Sequence, residues 1–137
     1  MSDRESGPTV VFVCLHGSAK SLIAAEHLTQ LARAQGSSLR GESAGVEPDA
    51  EVPAAVVGGL AGDGIDVRGY TPRLVTADLL RSATRVVSFG CPLDHLVVNS
   101  RFVEQWNDLP MVSDGYETAR AAIVARVERL VNDWPAI

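Results

Sequence analysis

The chain is poor in aromatic residues and cysteine, carries no surplus of positive charge and contains no long apolar run. Aromatic side chains are 5% of 137 residues, which leaves few rings to wall a ligand site. The formal net charge is −5, with no basic cluster set against it, which excludes a nucleic-acid surface. Any bound anion must then be held by local geometry. No stretch reaches the length of a membrane span, and Met1-Ser2-Asp3-Arg4-Glu5 lacks the charged-then-apolar form of a signal peptide. A cytoplasmic setting without membrane partners is expected. Two cysteines are too few for a disulfide scaffold, and in a reduced compartment a pair of thiols points to catalysis. No Cys/His spacing suits zinc, and His95 follows Cys91 too loosely for a metal pair. The expectation is no metal and no bound cofactor. Internal repeats and low-complexity segments are also absent.

What remains is an ordinary globular composition, 46% hydrophobic and 21% charged, long enough for one domain with a real core. Residues 1–8, ending in Gly7-Pro8, read as a flexible lead-in, and residues 9–137 as an α/β domain. Thr9-Val10-Val11-Phe12-Val13 is an apolar strand. Leu22, Ile23, Ala25, Leu28, Leu31 and Ala32 recur at helical spacing from Ser21 to about Ala34. A strand is expected over Leu39 to Ser43, with a turn at Ala44-Gly45. Pro53 opens a helix to about Leu60, and Thr76 caps a shorter one. Arg85 to Phe89 is a buried strand, Arg101 to Trp106 another, and Tyr116 to Val131 an amphipathic helix. Strands alternating with helices imply a parallel sheet with helices on both faces and a site at the strands' carboxyl ends. Cys14 and Cys91 both fall at such ends.

Cys14 closes the first strand and opens Leu15-His16-Gly17-Ser18-Ala19-Lys20-Ser21, which feeds a helix. A thiol there faces free N–H groups that bind anions and favour thiolate. That makes Cys14 a nucleophile ahead of a buried filler. Gly17 permits a positive φ, which turns loop amides inward as a nest. Lys20 opposes the helix dipole unless an anion is bound beside it. Ser21 is either a helix cap or a donor to the Cys14 sulfur. His16 reads as solvent-facing, and His27 as packed or exposed without chemical duty. Cys91 is filler or a resolving thiol that attacks Cys14 sulfur. Asp108 and Asp114 are candidate general acids, or else turn and cap residues.

Val10-Val11-Phe12-Val13-Cys14 with its loop, Ser43-Ala44-Gly45-Val46-Glu47-Pro48, Gly64-Ile65-Asp66-Val67 and Val86-Val87-Ser88-Phe89-Gly90-Cys91-Pro92 stand in a familiar order. The chain resembles the low-molecular-weight protein-tyrosine-phosphatase superfamily, and within it the thiol-coupled arsenate reductases, from about Thr9 to Val131. The resemblance implies a four-stranded parallel sheet and a loop of Leu15, His16, Gly17, Ser18 and Ala19 that cradles phosphate or arsenate. It implies Cys14 as nucleophile, Ser21 as the supporting hydroxyl and Cys91 as first resolving cysteine. It also implies departures. Lys20 replaces the loop arginine, giving a point charge where a planar fork would grip two oxygens. Ala19 stands where many relatives carry a second loop cysteine, and the second resolving cysteine is missing. The usual Asp-Pro acid motif appears only as Asp108-Leu109-Pro110, and of the aromatics that line the family's pocket rim from that loop only Tyr116 lies nearby.

Three functions follow. The first is a thiol-dependent oxyanion enzyme of arsenate-reductase type, served by an external thiol reductant or thiol-redox partner. The second is a phosphatase for phosphotyrosine or a small phosphomonoester, working through a Cys14 phosphothioester. The third is a binding module that keeps the cradle for an anion or a regulatory partner.

Overall fold

The computed structural model describes residues 7–93, 95–96 and 103–134. Most of the expected lead-in, and Arg101-Phe102 of the expected last strand, lie outside the described residues. Four strands form one parallel sheet: β1 (Thr9–Cys14), β2 (Arg40–Gly45), β3 (Arg85–Ser88) and β4 (Val103–Gln105), in the order β2-β1-β3-β4. Among the described residues four α-helices accompany it: α1 (Lys20–Ala34), α2 (Ala54–Gly62), α3 (Ala77–Ser82) and α4 (Tyr116–Asn132). A parallel sheet needs long crossovers and covering on both faces, so a strand in its interior is buried and largely apolar. β1 is such a strand, and all six of its residues are buried.

Alternation along β1 divides the core. Val10, Phe12 and Cys14 face a large cluster with Leu22, Ile23 and Leu28 of α1, Val56 and Leu60 of α2, and Ile123 and Val127 of α4. Val11 and Val13 face a smaller cluster with Val75, Leu80 and Val86. Phe12, Phe89 and Trp106 form an aromatic group with centroids 5.8–6.3 Å apart, and this group packs beneath the carboxyl ends of the strands. Thr76 caps α3 as expected, its Oγ1 accepting from the Leu79 N–H at 3.1 Å.

The turn expected at Ala44-Gly45 is not there. β2 runs through Gly45, which pairs in register with Cys14 and also exchanges hydrogen bonds with Arg73 and Val75. Gly45 serves close approach instead of turning. A Cβ on it would sit 2.6 Å from the Gly17 nitrogen, and one on Gly17 would sit 2.7 Å from the Gly45 nitrogen. The two backbones touch where the cysteine loop leaves the sheet, and this contact fixes the position of the loop.

Candidate active site

Cys14 is buried at the end of β1, and its sulfur has two polar neighbours. The Gly17 N–H donates to Sγ at 3.2 Å, and Ser21 Oγ lies 3.0 Å from it. Gly17 reaches back because its φ is +63°, the left-handed value that the sequence suggested. Ser21 is not a helix cap. It is the second residue of α1, whose N-cap Ala19 has no side-chain bond, and its hydroxyl continues to Ser43 Oγ at 2.7 Å. Ser43 has one proton and two acceptors in reach, Ser21 Oγ at 2.7 Å and the Gly17 carbonyl at 3.3 Å. When Ser43 donates along the shorter contact, the Ser21 proton is free for the sulfur. The Ser43 carbonyl is itself fastened by Tyr70 Oη and Arg73 Nε, each at 3.2 Å. Of these groups, the Gly17 N–H and the Ser21 hydroxyl reach the sulfur itself, where they can meet negative charge that develops during a reaction.

Among the described residues, the amides of Leu15, His16, Ser18 and Ala19 have no hydrogen-bond acceptor. Those four residues, with Cys14 and Lys20, line a cavity of about 580 Å³. The rest of its lining includes Phe89, Cys91, Pro92, Met111 and Val112, together with the Asp49 carboxylate. A cavity of this size lies in the range of small-molecule sites and is not a hole fitted to an ion. Leu15 and Met111, 46% and 53% exposed, are two of the three exposed large hydrophobics among the described residues, and both stand on its rim. A lining that combines loop residues with free amides and apolar side chains can take an oxyanion, alone or joined to an apolar group.

Lys20, the first residue of α1, lines the same cavity with Nζ 5.9 Å from the centre of the Phe89 ring. Cys91 is buried opposite, in a turn held by Ser88 and Gln105. The Cys91 N–H donates to Ser88 Oγ at 2.9 Å, and Gln105 Nε2 donates to the Cys91 carbonyl at 3.2 Å. Burial pushes the Cys91 thiol above its usual range, negative charge on Cys14 adds to that, and Lys20 opposes it. Both cysteines are free.

The structure thus brings together Cys14, Leu15, His16, Ser18, Ala19, Lys20 and Cys91. Gly17 and Ser21 act from behind, on the sulfur. Asp108 is not brought in. It is exposed and accepts two 3.0 Å bonds from Arg126 Nη2, and that guanidinium holds its carboxyl below the usual range. A carboxylate so paired is ionised at neutral pH, and in this arrangement it has no proton to give. Asp114 ends a 3₁₀ turn at Val112–Asp114 and caps nothing, since α4 starts from Gly115 without a side-chain cap. Tyr116 packs on Gly59 of α2 and does not line the cavity. His16 is exposed, as read, with Nδ1 3.0 Å from the Glu47 carbonyl. His27 is packed, 3.3 Å from Asp63, which takes two bonds from Arg120. Among the described residues no group of His, Cys, Asp or Glu is arranged to hold a metal ion, and no helix is long and apolar enough to cross a membrane.

Asp49, Tyr70 and Met111 gave no sequence signal, and Ser43 entered only as the first residue of the Ser43–Pro48 segment, with no role assigned. Ser43 is the most legible in retrospect, as a hydroxyl in the buried half of a strand beside the cysteine. Asp49 and Met111 come from loops whose path only the fold determines.

The family model described as low molecular weight phosphotyrosine protein phosphatase matches residues 9–92, a span that holds both cysteines and stops short of Asp108. A search of curated proteins gave no match. Among solved structures, YfkJ from Bacillus subtilis is similar with a TM-score of 0.81 at 19% identity, over 92% of this chain and 93% of that one. An arsenate reductase from Archaeoglobus fulgidus gives 0.73 at 27% identity, over 90% and 99%. A low molecular weight protein tyrosine phosphatase from T. tengcongensis gives 0.78 at 18%, over 93% and 99%.

Proposed function

The chain belongs to the low molecular weight phosphotyrosine protein phosphatase family, enzymes that work through a cysteine nucleophile, and from that premise we propose that it is a thiol-dependent oxyanion enzyme of the arsenate-reductase type. The observation that carries this reading is the placement of both cysteines of the chain on one cavity, beside unpaired loop amides. Arsenate sits against the amides of Leu15, His16, Ser18 and Ala19, with Lys20 supplying positive charge. Cys14 thiolate attacks arsenic(V). A sulfur–arsenic bond forms, and one arsenate oxygen leaves as water once protonated. Cys91, after losing its proton, attacks Cys14 Sγ. The disulfide forms, the sulfur–arsenic bond breaks and its electron pair stays on arsenic, which departs as arsenite in the +3 state. The two thiols have supplied two electrons, and an external dithiol reductant returns them. With no third cysteine in the chain, that reductant meets the Cys14–Cys91 disulfide directly.

The test is arsenate-dependent oxidation of a dithiol reductant. Wild type is active and Cys14→Ser is inactive, while Cys91→Ser forms no intramolecular disulfide in a single turnover. A normal rate for Cys14→Ser refutes the assignment.

A second reading has its own support in the apolar wall of Leu15, Phe89, Met111 and Val112, which bare arsenate does not use. On this reading Cys14 takes the phosphoryl group of an aryl or alkyl phosphomonoester, and water later releases it. Transferring phosphoryl groups draws on equatorial charge stabilisation, which a lysine supplies less well than an arginine fork. Lys20→Arg should then raise hydrolysis of an aryl phosphate by about tenfold or more. No hydrolysis by either form removes this reading.

A further inference from the structure

We propose that Asp49 is a positioning residue that clamps the cysteine loop and aims its amides at the bound anion. This rests on the reading of Cys14–Ser21 as an anion cradle. The observations are a row of contacts between two loop segments. The N–H groups of Val46, Glu47 and Asp49 donate in turn to the carbonyls of Cys14, Leu15 and His16, at 3.2, 2.7 and 3.1 Å. A trans peptide directs its N–H opposite to its C=O. Holding those three carbonyls on the 46–49 side therefore turns the N–H groups of Leu15, His16 and Gly17 the other way. The Gly17 N–H, donating to Cys14 Sγ, reports the direction independently.

Asp49 ends this strap and extends it with its side chain. Ser18 Oγ donates to Asp49 Oδ2 at 2.6 Å, and Asp49 Oδ1 lies 3.6 Å from His16 Nδ1. Ser18 is buried, so its hydroxyl needs an acceptor, and a carboxylate gives a charge-assisted one. With the hydroxyl committed to Asp49, the backbone amide is the group Ser18 has left to offer the anion. A carboxylate beside an oxyanion site carries an electrostatic cost, since like charges repel. The clamp is the compensating role, and it predicts that the acceptor and the charge have opposite effects.

The experiment uses Asp49→Ala, Asp49→Asn, Ser18→Ala and the Asp49→Ala/Ser18→Ala double variant. Each is assayed for Cys14-dependent turnover and, on a Cys14→Ser background, for orthophosphate affinity by calorimetry. Asp49→Ala and Ser18→Ala should each lower kcat about tenfold or more and weaken phosphate binding. The double variant should be no worse than either single one, as for two residues acting through one contact. Asp49→Asn keeps an acceptor and loses the charge, so it should retain kcat and show a lower KM. Equal behaviour of the Ala and Asn variants would overturn the clamp in favour of a purely electrostatic effect. So would additive losses, or a fall in thermal stability with kcat per folded molecule unchanged. If wild type has no Cys14-dependent turnover but phosphate affinity still follows the clamp pattern, the reaction reading fails and the clamp stands. Absence of phosphate binding in every form, together with no Cys14-dependent turnover, overturns both.

Discussion

Ser21→Ala removes the hydroxyl 3.0 Å from Cys14 Sγ and should slow every step in which that sulfur carries negative charge. Ser21 is fully buried and Ser43 follows it at 2.7 Å, so neither solvent nor a neighbour can replace the lost donor directly. A hydrogen bond to a charged group contributes about 1.5–3 kcal/mol. At 1.36 kcal/mol per decade, that corresponds to roughly a 10- to 150-fold loss in rate. The Gly17 N–H still reaches the sulfur, which keeps the loss below a complete one. Stability should change little. Ser43 can give its proton to the Gly17 carbonyl at 3.3 Å, and alanine favours the helix more than serine. The assay pairs kcat/KM with the rate of Cys14 alkylation at fixed pH, in a Cys91→Ser background so that only one thiol reacts. Both should fall together while the melting temperature holds. An unchanged alkylation rate would refute the relay from Ser43 through Ser21 to the sulfur, whatever happened to turnover.

Cys91 is held above the usual thiol range by burial, so disulfide formation after arsenate addition should speed up with rising pH through the alkaline region. A flat profile in single-turnover quench experiments would exclude Cys91 as the attacking thiol. Gly45→Ala would press a methyl group into the Gly17 backbone, which has no flexible end to yield. Activity should drop at least tenfold, and stability by about 1–3 kcal/mol in denaturant melts. His27 is buried, which depresses its pKa, so the folded state resists its protonation. Stability should therefore fall as pH drops below about 6.5, the unfolded histidine value, until the depressed folded value is reached. His27→Gln should remove that step from the pH dependence of chemical denaturation. Asp63, lowered chiefly by Arg120, acts further down the scale, losing its contribution as pH falls from the unfolded carboxylate value through its folded one.

Much of this architecture was legible because strong local signals agreed. The apolar run Val10–Val13, the glycine in the loop and the periodic helix after it point to a strand, a nest and a helix in that order. The position of Cys91 at the end of a buried strand was legible too, and its role was left between filler and resolving thiol. Gly45 misled because a glycine after a short strand is indistinguishable from a turn until its partner backbone, Gly17, is seen beside it. Asp108 misled for a different reason. Its neighbour Arg126 lies on the face of α4 that returns to the loop, and no spacing rule shows that an acid is already paired. The strap from Val46 to Asp49 could not be read at all, because its chemistry lies in backbone contacts between segments distant in sequence.

The most direct test of Cys14 as the covalent nucleophile is rapid-quench mass spectrometry during turnover, with an aryl phosphate in one series and arsenate in another. A phosphoryl group on Cys14 in the first, or a Cys14–Cys91 disulfide in the second, is expected in wild type and absent from Cys14→Ser. Turnover with Cys14 unmodified and Cys14→Ser still active would contradict it.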